Sequence, residues 1–103
     1  MNVCSFYGRV VDAPQVEKNA EGISVAKLTL SVDRYRKSKA GGKVRERNYL
    51  PLEAYDSAAQ TLEKYCQKGS FLLVNATARS DEKGILFRVT EFRILQDNVP
   101  EVD

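Results

Sequence analysis

The sequence has no histidine, two cysteines and three prolines, and no apolar run in it approaches the roughly 18 residues of a membrane helix. Without histidine it lacks the commonest general base, every Ser-His or Cys-His nucleophile, and the usual nitrogen ligand of zinc. Cys4 and Cys66 are too few for a disulfide framework and cannot complete a structural zinc site, so each reads as a small buried apolar residue. Residues 1–11 carry neither the charged start nor the apolar stretch of a secretory signal. Only scattered carboxylates remain for catalysis. These absences point away from an enzyme, a metalloprotein or a membrane protein, and toward a cytosolic chain with no cofactor and no small-molecule substrate.

What is present suffices for one domain. A chain of 103 residues, 43% hydrophobic, buries roughly two-thirds of the surface that its unfolded form exposes, enough for a core without staples. The net charge is only +2, but residues 34–47 hold Arg34, Arg36, Lys37, Lys39, Lys43, Arg45 and Arg47 against Glu46 alone, a local +6. The other nine bases and thirteen acids leave the rest of the chain at −4. Such polarity is the footprint expected for a polyanionic partner, and it is equally that of a solvated hairpin tip.

Hydrophobic alternation supplies the elements. Residues 2–11 alternate Cys4, Phe6 and Val10 with Val3, Ser5 and Arg9, a first strand with Gly8 where a bulge or tight coil would sit. A turn at Asp12-Ala13-Pro14 and a polar connection lead to Gly22. Over residues 23–36, Ala26, Leu28, Leu30 and Val32 alternate with Lys27, Thr29, Ser31 and Asp33, a half-buried strand. After a turn at Ala40-Gly41-Gly42, residues 44–55 place Leu50, Leu52 and Ala54 on one face, with Pro51 at a bulge or on an unpaired side. Ser57-Ala58-Ala59-Gln60 reads as a capping box. The helix it opens carries Ala58, Ala59, Leu62, Tyr65 and Cys66 as one apolar stripe and ends at Lys68-Gly69, with Lys64 and Lys68 serving solubility and the helix C-terminus. Residues 70–79 and 85–95 form two further strands around a tight turn. The apolar phase shifts from Phe87 and Val89 to Phe92 and Ile94, which predicts a bulge near Thr90.

Five curved strands with one helix between the third and fourth make an all-β chain whose edges are best hidden by closure, as in a five-stranded OB-fold barrel. Residues 1–96 are expected to form this domain and residues 97–103 a short disordered tail. If Leu50, Leu52 and Ala54 face the core, then Arg45, Arg47, Tyr49 and Tyr55 share the outward face, and Tyr35 joins them from the preceding strand. Interleaved cations and phenol rings suit a sequence-tolerant single-strand binder, since phosphates need mobile charge and every base offers a face for stacking. Arg79 and Arg88 extend the track.

Beyond these patterns, the chain resembles the DNA-binding domain of bacterial single-stranded DNA-binding proteins from Asn2 to about Leu95. The resemblance is carried by Asn2 and Val3 with Gly8-Arg9-Val10-Val11 and Pro14, by Ile23-Ser24-Val25-Ala26 through Thr29-Leu30, and by Lys64-Tyr65-Cys66-Gln67-Lys68-Gly69-Ser70. It implies an OB-fold homo-oligomer, usually a tetramer, that stacks bases on aromatics of its second and third strands. Tyr35 and Tyr49 fall where the family commonly has tryptophan, and Tyr55 where it has phenylalanine. Leu50 replaces a family histidine near the tetramer contacts, which leaves tetramer and dimer both open. The family's long linker and acidic tip, which recruit replication and repair proteins, have no counterpart in residues 97–103. The implied role is protection of unpaired DNA during replication, repair or recombination, in the cytoplasm with the nucleoid. The alternative is a tail-less adaptor like primosome protein B, working mainly through protein contacts.

Overall fold

Ala26, Leu28 and Leu30 point to one side of their strand and Leu52 and Ala54 to the same side of the next, and all five are almost wholly buried. That shared side is the inner wall of a barrel. The protein, seen in a computed structural model that describes residues 1–95, runs β1 (Cys4–Val10), β2 (Gln15–Lys18), β3 (Ser24–Lys37), β4 (Lys43–Tyr55), α1 (Ser57–Tyr65), β5 (Phe71–Asp81) and β6 (Gly84–Ile94). The tail expected over residues 97–103 lies outside the described residues. The sheet order β1-β5-β6-β4-β3, closed by a β1–β3 pairing, is the five-stranded OB-fold barrel predicted from the element order. Its helix lies between the third and fourth barrel strands, β4 and β5. One strand was not foreseen. In the connection read as merely polar, β2 pairs with β3 at Val16↔Ala26 and packs Val16 on the core. A single apolar residue in a four-residue strand is too little for a periodicity to show.

Closure depends on Gly8. On one side β1 pairs with β5 from Cys4 to Arg9, and at its far end it also joins β3 at Arg9↔Ser31 and Val10↔Leu30. A Cβ on Gly8 would lie 2.3 Å from the Ser31 carbonyl oxygen. The glycine therefore marks a close backbone crossing where one strand feeds two neighbours, rather than the bulge or coil expected there. Pro51 is accommodated within an unbroken ladder, opposite Thr29. The Thr29 carbonyl accepts from the Val11 amide at 2.9 Å, so Thr29 turns its backbone polar groups toward β1 and asks nothing of Pro51. The missing N–H thus lies on the side of β4 away from β3, as the unpaired-side reading required.

The bulge near Thr90 is present. Asn75 pairs with Glu91 and Ala76 with Val89, leaving Thr90 as the extra residue, whose hydroxyl donates to the Asn75 carbonyl at 3.1 Å. That one insertion lets Phe87, Val89, Phe92 and Ile94 all pack on the core. The helix departs from its reading in three ways. Its N-cap is Asp56, held at φ 59 with no side-chain cap bond, so Ser57 is the first helical residue and the capping box does not form. The chain has to turn sharply there, because the Asp56 amide is already committed to the Ser24 carbonyl at 2.8 Å. Ala59, Leu62 and Cys66 are buried and Ala58 packs beside them, but Tyr65 projects outward with the Lys64 ammonium 5.2 Å from its ring centre. Finally, α1 stops at Tyr65, and the positive φ of Gly69 serves the turn that follows, which takes Lys68 out of the helix. Cys66 is core, whereas Cys4 is only half-buried, and neither is in a disulfide. No helix among the described residues is long and apolar enough to cross a membrane.

Gly8→Ala is expected to destabilise the protein at or above the upper end of the roughly 1–3 kcal/mol seen for overpacking, because the obstructing atom is backbone and cannot rotate away. Gly42→Ala, where a Cβ meets nothing within 4 Å, is the control and should stay within about 0.5 kcal/mol. Urea denaturation of the two variants measures both, and equal midpoints would contradict this account of closure.

Candidate nucleic-acid interface

The β3–β4 hairpin runs well beyond the barrel, with thirteen register pairs from Val25↔Tyr55 to Lys37↔Lys43. Its tip is a tight loop in which the Ser38 amide donates to the Gly42 carbonyl at 2.7 Å and Gly41 supplies a positive φ. Alternation along so long a ribbon sorts its charges onto two faces. Ser31, Asp33, Tyr35 and Lys37 on β3 stand opposite Tyr49, Arg47, Arg45 and Lys43 on β4, all on the face away from the core. Arg34 and Arg36 occupy the other face beside Glu46, to which Arg36 is paired at 3.4 Å, and Lys39 sits at the exposed tip. The structure therefore divides the basic run that looked uniform in sequence: Lys37, Lys43, Arg45 and Arg47 share a face with the tyrosines, while Arg34 and Arg36 do not.

Tyr35 and Tyr49 are open to solvent, 61% and 57% exposed. Between them lies a residue whose importance the charge count understated, because Asp33 falls one position outside the basic run. Arg45 donates to one Asp33 oxygen from Nη2 at 2.6 Å and from Nε at 3.0 Å, and Arg47 Nε lies 3.5 Å from the other. The Tyr49 hydroxyl first, and Asp33 with it, push the Arg47 guanidinium further toward its charged form. Ion pairs this exposed hold weakly, so Asp33 pre-positions two arginines that a phosphate can still recruit.

Tyr55 is placed differently. It is half-buried, its hydroxyl donates to Glu53 Oε1 at 2.9 Å, and the Arg88 guanidinium covers its ring at 4.4 Å while pairing with Glu53 at 3.1 Å. Burial first, and then the neighbouring Glu53 carboxylate, raise the Tyr55 pKa above the ordinary 10.0, so at neutral pH it stays a donor. Tyr55 and Arg88 thus close over a nearly buried Glu53 and are not brought into the open face, and Arg79 stands exposed on β5 opposite Leu86.

Depressions border this face, and two of them reach across to neighbouring strands. One, bounded by Lys27, Thr29 and Pro51, lies between the β1–β2 connection and the β5–β6 turn. The other, about 640 Å³, is walled by Tyr49, Arg45 and Arg47 on one side and by Arg9, Lys68 and Phe71 on the other. The sequence pattern does not point to the last three. Arg9 and Phe71 were read only as parts of strands, since nothing in sequence alone places β1 and β5 beside the hairpin. Lys68 was assigned to a helix end that proves to lie three residues earlier.

This arrangement, an exposed cationic and aromatic face on the β3–β4 side of an OB barrel, accompanies a sequence that matches the single-strand binding protein family over residues 1–99. The chain belongs to that family. Within reach of the family, Single-stranded DNA-binding protein 1 of Streptococcus pyogenes is 33% identical over 87 residues, covering 82% of this chain and 65% of the relative, so this chain spans slightly less than two-thirds of that protein. Single-stranded DNA-binding protein B of Bacillus subtilis is 31% identical over 106 residues, covering 99% of this chain and 90% of the relative. Among solved structures, a deletion mutant of the Thermus aquaticus single-stranded DNA binding protein superposes with a TM-score of 0.83 at 16% identity, over 95% of this chain and 52% of that one. A Plasmodium falciparum family protein in complex with single-stranded DNA gives 0.81 at 16% identity, over 93% and 96%. At such identities the likeness is one of fold.

Asp33→Asn should tighten binding of an oligothymidine two- to fivefold, equivalent to the roughly 0.5–1 kcal/mol of exposed pairing it releases. Fluorescence anisotropy titration at fixed salt measures this. Unchanged or weaker binding would mean that Asp33 aids the arginines by holding them rather than opposing their use.

Proposed function

We propose that this protein is a non-catalytic, sequence-tolerant binder of single-stranded DNA, which keeps strands unpaired and shielded in replication, repair or recombination. The observation that carries the reading is the shared face of Tyr35 and Tyr49 with Lys37, Lys43, Arg45 and Arg47 on β3 and β4. Bases stack on exposed rings whatever their identity, and phosphates recruit the adjoining cations with release of counterions. On an OB barrel this side, between the first and last loops, is where oligonucleotides dock. The two named relatives, both single-stranded DNA-binding proteins, support the assignment. Lys39, Arg34, Arg36 and Arg79 would act as outlying backbone contacts, and Tyr55 and Arg88 would serve the interface by bracing its lower end.

An oligothymidine should bind tightly at low salt, duplex should compete poorly, and log affinity should fall against log salt by about 0.7 per phosphate contacted. Replacing Tyr35 and Tyr49 together with alanine should weaken binding by roughly 2–6 kcal/mol, at about 1–3 per stacked base. Weak binding by the unaltered protein at low salt would overturn the reading in favour of an adaptor that works through protein contacts.

We further propose that the protein is a homo-oligomer. Beyond its pairing with β5, β1 meets β3 only at Arg9 and Val10, so the Cys4–Gly8 stretch shows an open strand edge, a ready template for pairing with a second copy. Light scattering should give at least twice the 11.6 kDa chain mass, and a monomer at micromolar concentration would contradict this.

A further inference from the structure

The tip of the β3–β4 ribbon carries a charge pattern that works against its own ladder. Lys37 and Lys43 are register partners, and like charges directly opposite each other destabilise a strand pair. Lys39 adds a third cation at the exposed turn, and the one carboxylate between residues 34 and 47 is Glu46. Glu46 stands on the reverse face of the ribbon, directly opposite Arg34, and is engaged by Arg36 at 3.4 Å. A depression of about 290 Å³ opens at the tip, bounded by Tyr35, Arg36, Lys37, Gly41, Gly42 and Lys43, with no acidic residue in its lining. Tyr35 and Lys37 belong to the front face and Arg36 to the reverse, so this depression joins the two faces. A Cβ on Gly41 or Gly42 would meet nothing within 4 Å, so the turn leaves open space above its backbone.

We infer that the ribbon tip is a phosphate-binding crossover, at which a single strand stacked on Tyr35 passes over Gly41-Gly42 to the reverse face, where Arg34 and Arg36 take its next phosphates. A phosphate set between Lys37 and Lys43 converts their mutual repulsion into a shared attraction, with release of counterions from both. Glycines at the turn let a polymer backbone approach closely. Beyond the turn, Arg34 and Arg36 are two residues apart on one strand and so project from the same face. Their one carboxylate is held through an exposed pair, the two side chains 53% and 44% open, which a phosphate can displace. This rests on the single-strand reading above and adds to it a path: the strand embraces the ribbon instead of lying along one side of it. The reverse face is then reached only by strands long enough to round the tip.

The protein has no tryptophan, so one indole can report on the reverse face alone. Val44 stands there, opposite Arg36 and outside the core cluster, so Val44→Trp should leave the fold intact. Its fluorescence should be quenched on titration with long oligothymidines and spared by the shortest that still bind. The Arg34→Gln, Arg36→Gln pair should lower the salt slope for long oligothymidines by about 1.4, two contacts' worth, and for the shortest by far less. Gly42→Glu, which sets a carboxylate beside the two lysines in open space, should weaken long oligothymidines roughly two- to fivefold. An indole that no oligothymidine quenches, together with an unchanged slope for the arginine variant while the unaltered protein binds normally, would overturn the inference and leave the front-face reading standing. Equal quenching by the shortest oligothymidines would overturn it too, since the reverse face would then bind without a crossing. So would an arginine variant whose only change is a smaller oligomer by light scattering, because that face would then serve a second copy. Failure of the single-strand reading itself shows differently, as absence of binding by the unaltered protein.

Discussion

The approach of the Gly8 backbone to Ser31 is the constraint on which both the core and the interface depend. β1 has to leave β5 and join β3 within two residues, and it can do so only where no side chain separates the strands. Closing the barrel there covers the end of β1, leaving its Cys4–Gly8 edge open, and lets Val10, Leu30, Leu72 and Val74 meet as one core. The same crossing carries Arg9 to the side of Ser31. A packing requirement thereby places charged and aromatic groups from opposite ends of the sequence along one groove.

The outward face is specified by the same alternation that fills the barrel. Once Leu28, Leu30, Leu52 and Ala54 are committed inward, parity leaves Tyr35, Tyr49, Arg45 and Arg47 no choice of side. The protein then tempers this surface rather than maximising its charge. Asp33 engages two arginines at once, and Glu53 takes Arg88 out of use beneath Tyr55. Cations held in place by weak exposed pairs lose less freedom when a phosphate arrives than cations sampling solvent, at the cost of some net attraction.

Much of this could be read from the residues, and the failures have physical causes. The half-buried strands announced themselves by period-two alternation, and the phase slip between Val89 and Phe92 located the Thr90 bulge, because a bulge is a slip in phase. The parity of Tyr35 and Tyr49 needed only the inward leucines. Leu50, at the end of the core, proved half-buried because the barrel stops there. β2 escaped notice since four residues with one apolar side chain have no period, and the capping box was misleading because a tertiary bond from Asp56 to Ser24 sets the entry to α1. The placement of Arg9, Lys68 and Phe71 beside the hairpin is invisible in sequence for a different reason: which strands adjoin is decided by closure, and local pattern carries no information about it.

The outer half of the β3–β4 ribbon has a consequence of its own. From Asp33 to Lys37 and from Arg45 to Tyr49 every side chain is exposed, so this stretch is held by ladder hydrogen bonds and a few ion pairs without a core beneath it. A bare two-stranded ribbon is marginally stable in water, so its amides should exchange with solvent through local opening far more easily than those of the barrel. The surface that carries Tyr35 and Tyr49 is then the softest part of the fold. It can twist to follow the path of a flexible polymer, and a strand bound on it would slow the opening of the amides below.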